Sequence, residues 1–215
     1  MTDDKTRPPS GTAYPSDCEV TQGLLEKARA RQPDDERGYG WRAALPRARR
    51  VALLLLDVDG VLTDGTITYT EDGGEIKSFH TRDGLGIKLL QRAGIEVGLI
   101  TARLSEAVTR RAGDLGLRHV YQKVTDKVTA YERIRADLGL QHAEIAYVGD
   151  DWLDIPLLIR VGFAATVADG APEVKKLVHY VTRRSGGRGA VREICDLILE
   201  AREARDGLLA DFLNR

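Results

Sequence analysis

The chain has 215 residues, enough for one domain with a sizeable core, and its 42% hydrophobic and 30% charged residues are ordinary for a globular protein. With 32 basic residues against 33 acidic ones, the net charge of -1 gives no electrostatic reason to expect a nucleic-acid or membrane partner. No apolar stretch approaches bilayer-spanning length, Met1–Ser10 is polar where a signal peptide would be apolar, and Cys18 and Cys195 make neither a metal-ligand cluster nor a disulfide framework, so a cytoplasmic location is expected.

Residues 1–50 read as an N-terminal extension, largely disordered. It opens with a polar, proline-rich run, has a weak helical pattern over Val20–Arg31, and continues with a linker-like stretch from Gln32 to Gly40. The basic cluster of Arg47, Arg49 and Arg50 reads as a solvated flank, and no catalytic role is assigned to the segment. A regular alternation begins at Val51 and defines a domain over residues 51–205, with a tail over 206–215. Val51–Asp57 is a buried strand, and Thr66–Tyr69 and Glu75–His80 flank Glu71-Asp72-Gly73-Gly74 as a β-hairpin. A helix is expected over Gly84–Arg92, a strand over Glu96–Ile100, and a helix capped by Ser105 and running to Leu115. A short strand follows at His119–Tyr121, then a helix over Lys127–Leu138, a strand over Ile145–Val148 and a helix over Asp154–Val161 carrying Pro156 in its first turn. Phe163–Thr166 and Tyr180–Val181 read as strands, Pro172–Leu177 as a helix, and Val191–Ala204 as a closing amphipathic helix, with the apolar Leu208–Phe212 beyond. Strands alternating with helices give an α/β fold, a doubly wound, Rossmann-like and mainly parallel sheet covered on both faces.

The polar residues fall where such a sheet binds ligands, outside the carboxyl ends of its strands. Asp57 and Asp59 follow the first buried strand, Thr101 the second, Lys127 stands in the loop after the third, and Asp150 and Asp151 follow the fourth. Their chemistry fits phosphoryl transfer. One carboxylate can attack phosphorus, and a second, two residues on, can serve as general acid and base. Clustered acids call for a hard divalent cation such as Mg²⁺, while a lysine and a threonine hydroxyl can hold phosphoryl oxygens.

These segments resemble the haloacid dehalogenase-type phosphatases. Asp57-Val58-Asp59-Gly60-Val61-Leu62-Thr63 is similar to that superfamily's first motif, Ile100-Thr101-Ala102-Arg103 to the second, Lys127 to the third and Gly149-Asp150-Asp151-Trp152-Leu153-Asp154 to the fourth. The resemblance implies a nucleophile at Asp57, an acid/base at Asp59, and phosphate binding by Thr101 and Lys127, with Gly60 counted among the phosphate-binding positions. It implies Mg²⁺ ligands in the Asp57 carboxylate, the Asp59 backbone carbonyl and Asp150. Asp151 would support the metal shell and Asp154 would cap the following helix. The intervals between the motifs are too short for a cap domain, so the site would be open unless a neighbouring subunit covers it.

Phe79-His80-Thr81-Arg82-Asp83-Gly84-Leu85-Gly86 and Ser185-Gly186-Gly187-Arg188-Gly189-Ala190-Val191-Arg192-Glu193 look like signatures of the 3-deoxy-D-manno-octulosonate 8-phosphate phosphatase family, a capless branch. That resemblance covers roughly Val51–Glu200. It implies a homotetramer joined through the hairpins, a glycine-rich segment approaching the adjacent subunit's site, and a small sugar-acid phosphate as substrate, with Arg82 and Arg188 contacting the anionic sugar acid. A nonulosonate 9-phosphate phosphatase is the alternative within the class. A phospho-accepting receiver domain and a non-catalytic oligomerisation module are alternatives of other classes. His80 stands near the site as a further candidate for substrate contact.

Overall fold

The computed structural model describes residues 22–23 and 38–214. Apart from Gln22 and Gly23, the expected features between Met1 and Arg37 lie outside the described residues.

The centre of the fold is β1 (Leu53–Leu56), four consecutive buried leucines. Leu54 and Leu56 enter one apolar core and Leu53 and Leu55 the other, because side chains alternate across a strand and both faces of this sheet are covered. The flanking strands β4 (Glu96–Ile100) and β6 (Ile145–Val148) pair with β1 in parallel, Leu56 lying opposite Leu99 on one side and Val148 on the other. β5 (His119–Tyr121), β7 (Phe163–Thr166) and β8 (Tyr180–Val181) complete a six-stranded sheet in the order β5-β4-β1-β6-β7-β8, with every ladder parallel. The chain runs outward from β1 through β4 to β5, then returns to the other side through β6. The order therefore reverses between β1 and β6, and a crevice at their carboxyl ends is the geometric consequence.

One face of the sheet carries α2 (Thr81–Arg92), α3 (Glu106–Leu115) and α7 (Ala190–Ala201), and the other carries α4 (Lys127–Asp137) and the short α5 (Ile155–Leu158). A four-residue helix, α6 (Pro172–Lys175), precedes β8. The amphipathic pattern expected from Val191 is α7, where Val191, Ile194, Cys195, Leu197, Ile198 and Leu199 are all buried. The helix expected from Gly84 starts three residues earlier, at Thr81, because His80 Nδ1 accepts from the Arg82 amide and caps it. The helix expected over Asp154–Val161 is shorter. Trp152–Asp154 is a 3-10 turn, and α5 ends at Leu158. The hairpin strands β2 (Thr68–Tyr69) and β3 (Glu75–Ile76) pair antiparallel but are only two residues long.

The boundary expected at residue 50 is displaced. Residues 39–48 form α1 (Tyr39–Ala48), whose Trp41, Ala44 and Ala48 are buried on the α7 side of the sheet. The Trp41 ring meets Tyr180 edge-on at 6.1 Å and its Nε1 donates to Glu200 at 3.3 Å. Arg47 is tied down as well, donating to the Gly162 carbonyl at 3.2 Å. The last segment, expected as a tail, contains α8 (Arg205–Leu213), none of whose residues is fully buried. Trp41→Ala should lower unfolding stability by about 3 kcal/mol, the usual cost of emptying a buried indole site. Urea denaturation measures this, and an unchanged midpoint would mean that α1 is a mere appendage.

Candidate active site

The loop that leaves β1 is wound tightly around one carbonyl. Val58 O accepts from the amides of Val61, Leu62 and Thr63 at 3.3, 2.9 and 3.0 Å. Gly60 lies in this turn at φ +83, and a Cβ there would fall 2.1 Å from Asp150 Oδ2. Glycine is required on both counts, since the backbone is left-handed and a carboxylate from the β6 loop occupies the space a side chain would need. Gly60 thus acts as the gap that admits Asp150 beside the first loop.

Behind that loop lies a buried polar hub. Lys127, at the start of α4, places Nζ 3.1 Å from Asp57 Oδ1, 2.6 Å from Asp154 Oδ1 and 3.2 Å from the Tyr147 hydroxyl. Tyr147 donates its own hydroxyl proton to Asp154 Oδ1 at 2.6 Å, and Asp154 Oδ2 accepts from the amides of Asp150 and Asp151 at 3.0 and 3.3 Å. Asp154 was expected only to cap a helix. It is instead buried and engaged by four donors, which aim Lys127 at Asp57 and fix the Asp150 turn. Capping of the Trp152–Asp154 turn is shared: the Asp151 carboxylate accepts from the Trp152 amide at 2.8 Å, and Asp154 accepts in turn from the Asp151 amide. Tyr147 is the member that sequence reasoning missed. Its one signal was a hydroxyl on an otherwise apolar strand.

Asp57, Asp150 and Asp154 each offer an oxygen within 4.8 Å of the others. Burial, reinforced by the Asp154 charge and only partly offset by Lys127, pushes the Asp57 carboxyl up to about 7. Burial together with Asp154 and Asp151 takes Asp150 to about 7 as well. Burial alone would lower Lys127, but Asp57 and Asp154 outweigh it and hold the ammonium above the ordinary lysine range. One lysine therefore faces three acids, two of which ionise reluctantly. A hard divalent cation between Asp57 and Asp150 fits this donor set, because it supplies the missing positive charge and carboxylate oxygens suit it. Asp154 is poorly placed to be a ligand, since both its oxygens are already bonded to donors.

The Asp59 carboxylate points elsewhere. It forms an ion pair with Lys77, and its Oδ2 lies 3.7 Å from Arg103 Nε. Any metal contact by Asp59 is then left to its backbone carbonyl, as the family resemblance implies. Thr101 is buried at the end of β4, beside β1, with its backbone bonded to Tyr121 and Val124 and its Oγ1 accepting weakly from the Arg103 amide at 3.4 Å.

Arg82 and Arg188 are not brought to these acids. Arg82 is exposed in the first turn of α2, and Arg188 pairs with Asp64 of the same chain at 3.3 Å with its side chain mostly in solvent. The glycine-rich segment, expected to approach an adjacent subunit, is docked on this chain's own first loop. Gly187 N donates to Val61 O at 3.0 Å, Gly186 N donates to Asp169 Oδ1 at 2.9 Å, and a Cβ on Gly186 would lie 1.8 Å from Gly60 O. The two signature stretches form one joint. Asp83 is buried and accepts from the Arg192 amide in the first turn of α7 at 2.7 Å, while Gly86 lets α2 approach Cys195. Close packing within one chain accounts for the glycines and for Asp83 in these stretches.

Comparison with known proteins identifies the family. Residues 115–194 match the haloacid dehalogenase-like hydrolase family. The chain is 45% identical over 163 residues to the 3-deoxy-D-manno-octulosonate 8-phosphate phosphatase KdsC of Yersinia pestis, covering 76% of this chain and 87% of that protein. The crystal structure of that phosphatase from Yersinia pestis superposes with a TM-score of 0.76, covering 77% of this chain and 89% of the other. The Moraxella catarrhalis phosphatase of the same name, crystallised with a magnesium ion, a phosphate ion and KDO, is 40% identical with a TM-score of 0.77, covering 79% of this chain and 97% of the other.

Two outcomes test the electrostatics. A carboxyl raised from 3.8 to about 7 binds its proton in the folded chain when the unfolded chain has lost it. Its contribution to stability is therefore present at low pH and is lost as pH rises towards about 7. Magnesium should offset that loss, so the gain in urea midpoint on replacing EDTA with magnesium should grow from pH 5 to pH 7.5. His179, held below the usual histidine range by burial, contributes in both conditions and cancels. A gain independent of pH would contradict the assignment. Gly60→Ala, by displacing Asp150, should weaken magnesium binding in calorimetry by about tenfold or more, and an unchanged affinity would show that the contact is unimportant.

Proposed function

We propose, from the premise that this chain belongs to the haloacid dehalogenase-like hydrolases and to their 3-deoxy-D-manno-octulosonate 8-phosphate phosphatase branch, that it hydrolyses that sugar-acid phosphate to 3-deoxy-D-manno-octulosonate and phosphate. The observation that carries the chemistry is the placement of Lys127 between Asp57 and Asp154, with Asp150 held beside Asp57 by the gap at Gly60.

In the first half-reaction an Asp57 carboxylate oxygen attacks phosphorus. The new O–P bond makes an aspartyl-phosphate, the P–O bond to the sugar breaks, and the departing alkoxide takes a proton from Asp59. In the second, water attacks the phosphoryl group, gives its proton to Asp59, and releases phosphate with the Asp57 carboxylate restored. Lys127 holds a phosphoryl oxygen by charge, and the Thr101 hydroxyl and the Gly60 amide hold others. Magnesium, held by Asp57, the Asp59 backbone carbonyl and Asp150, would supply Lewis acidity and lower the repulsion between two anions.

The wider setting belongs to the same proposal: a cytoplasmic enzyme of lipopolysaccharide precursor biosynthesis, acting as a homotetramer. Ile67, Tyr69 and Ile76 are exposed on the hairpin, and burial against other copies would suit them. Arg82 and Arg188, both exposed, would reach the sugar acid only in such an assembly. The domain proper is proposed to run from α1 through α7.

Asp57→Asn is near-isosteric and a poor nucleophile, so turnover should fall by roughly a thousandfold or more with the fold intact. Phosphate release measures this, and near-native turnover would overturn the mechanism. Comparing kcat/KM on the octulosonate 8-phosphate and a nonulosonate 9-phosphate checks the substrate. The former should be preferred, and the reverse order would assign the chain to the sialic-acid-type class.

A further inference from the structure

Lys77 stands outside the machinery described so far, yet it is chemically the most conspicuous side chain of the hairpin. It follows β3 by one residue, and alternation along the extended segment places Glu75 and Lys77 on one face and the exposed Ile76 on the other. The inward face meets Asp59. The Lys77 side chain is 0% exposed and forms ion pairs with Asp59 Oδ1 and, at 3.3 Å, with Glu75 Oε1. Glu75 Oε2 is bonded at 2.7 Å to Arg103, which lies next to Asp59 Oδ2, and Tyr69 on the paired strand also contacts the guanidinium. Asp59, Lys77, Glu75 and Arg103 thus close a ring of alternating charges between the hairpin and the first and second motif loops.

A fully desolvated ammonium costs several kcal/mol unless well paired, and replacing a whole buried ion pair by well-packed apolar residues is often neutral for stability, although removing one partner alone is not. A lysine whose only work was to pin the hairpin would therefore be an inefficient choice. What the ring does fix is the direction of the Asp59 carboxylate.

We propose that Lys77 is a positioning residue, holding the Asp59 carboxylate in the orientation from which it exchanges a proton with the leaving oxygen. This rests on the phosphatase reading above. It adds to that reading a second duty for the hairpin, whose outer face is free for assembly while its inner face orients the acid/base. Glu75 bridges the two cations of the ring, Lys77 and Arg103.

Lys77→Met keeps the aliphatic stem and removes the charge. kcat/KM reports the first half-reaction, in which a sugar alkoxide needs a proton from Asp59 and a p-nitrophenolate does not. If Lys77 positions Asp59, the variant should lose about tenfold or more in kcat/KM on a primary sugar phosphate relative to its loss on p-nitrophenyl phosphate, because a well-placed general acid is worth on the order of a hundredfold or more. Lys77→Arg, which keeps a cation, should recover part of that ratio. Both substrates are read on one preparation, so the ratio is independent of the fraction folded. Should Lys77→Met yield no soluble protein, Lys77→Gln gives the same comparison. Equal losses on the two substrates, or no loss on either, would overturn the proposal and leave Lys77 a structural ion. Failure of the phosphatase reading shows separately, as a wild-type enzyme inactive on every phosphate ester.

Discussion

The constraint on which this structure depends is a charge imbalance at one point of the sheet. Asp57, Asp150 and Asp154 meet where the strand order reverses, and one buried lysine, Lys127, pairs with Asp57 and Asp154. Placing three acids there is unfavourable for folding alone, and the raised carboxyls of Asp57 and Asp150 record that cost. The arrangement makes sense as a site for a cation on one side and an anionic phosphoryl group on the other. Asp154 is the group that lets it persist. By taking Lys127, Tyr147 and two backbone amides, it fixes the lysine beside Asp57 and leaves Asp57 and Asp150 as the carboxylates suited to a cation.

The remainder of the domain maintains the spacing of that cluster. Asp150 can stand beside the first loop only because Gly60 has no side chain, and that loop is backed by Gly186 and Gly187. Those glycines are placed by α7, and the first turn of α7 is tied to α2 through Asp83. A line of close backbone approaches therefore runs from the start of α2, through the glycine-rich segment, to the metal-facing side of the first loop. On the opposite side the hairpin, through Lys77 and Glu75, meets Asp59. Asp57 and Asp59 are only two residues apart, yet separate structures support them.

Much of this was legible in the residues. Four leucines followed by two acids, and polar groups after each successive strand, follow directly from the alternation of a parallel α/β sheet, and the site acids, Thr101 and Lys127 stand at the sheet edge that this alternation specifies. What local pattern could not separate was capping from buttressing. An aspartate three residues after Asp151 looks the same in sequence whether it caps a turn or accepts a buried lysine from another helix. Arg82 and Arg188 stand apart from the acids within one chain. By itself the glycine-rich run reads as a flexible loop, and only the family resemblance suggested ligand contact for its arginine; within one chain the glycines serve close packing and Arg188 pairs with Asp64. α1 had a readable apolar face in Trp41, Ala44, Leu45 and Ala48, but Pro46 and the surrounding arginines masked it. Lys77 was invisible because a single lysine on a short hairpin strand carries no periodic signal.

The most direct test of the account is the position of the bound cation, read from the anomalous signal of Mn²⁺ in crystals of the protein. The account predicts one peak at about 2.1 Å from carboxylate oxygens of both Asp57 and Asp150, with Asp154 still bonded to Lys127 and Tyr147. A cation bound to Asp154 with Lys127 released, or one held by the Asp59 carboxylate in place of Lys77, would contradict it.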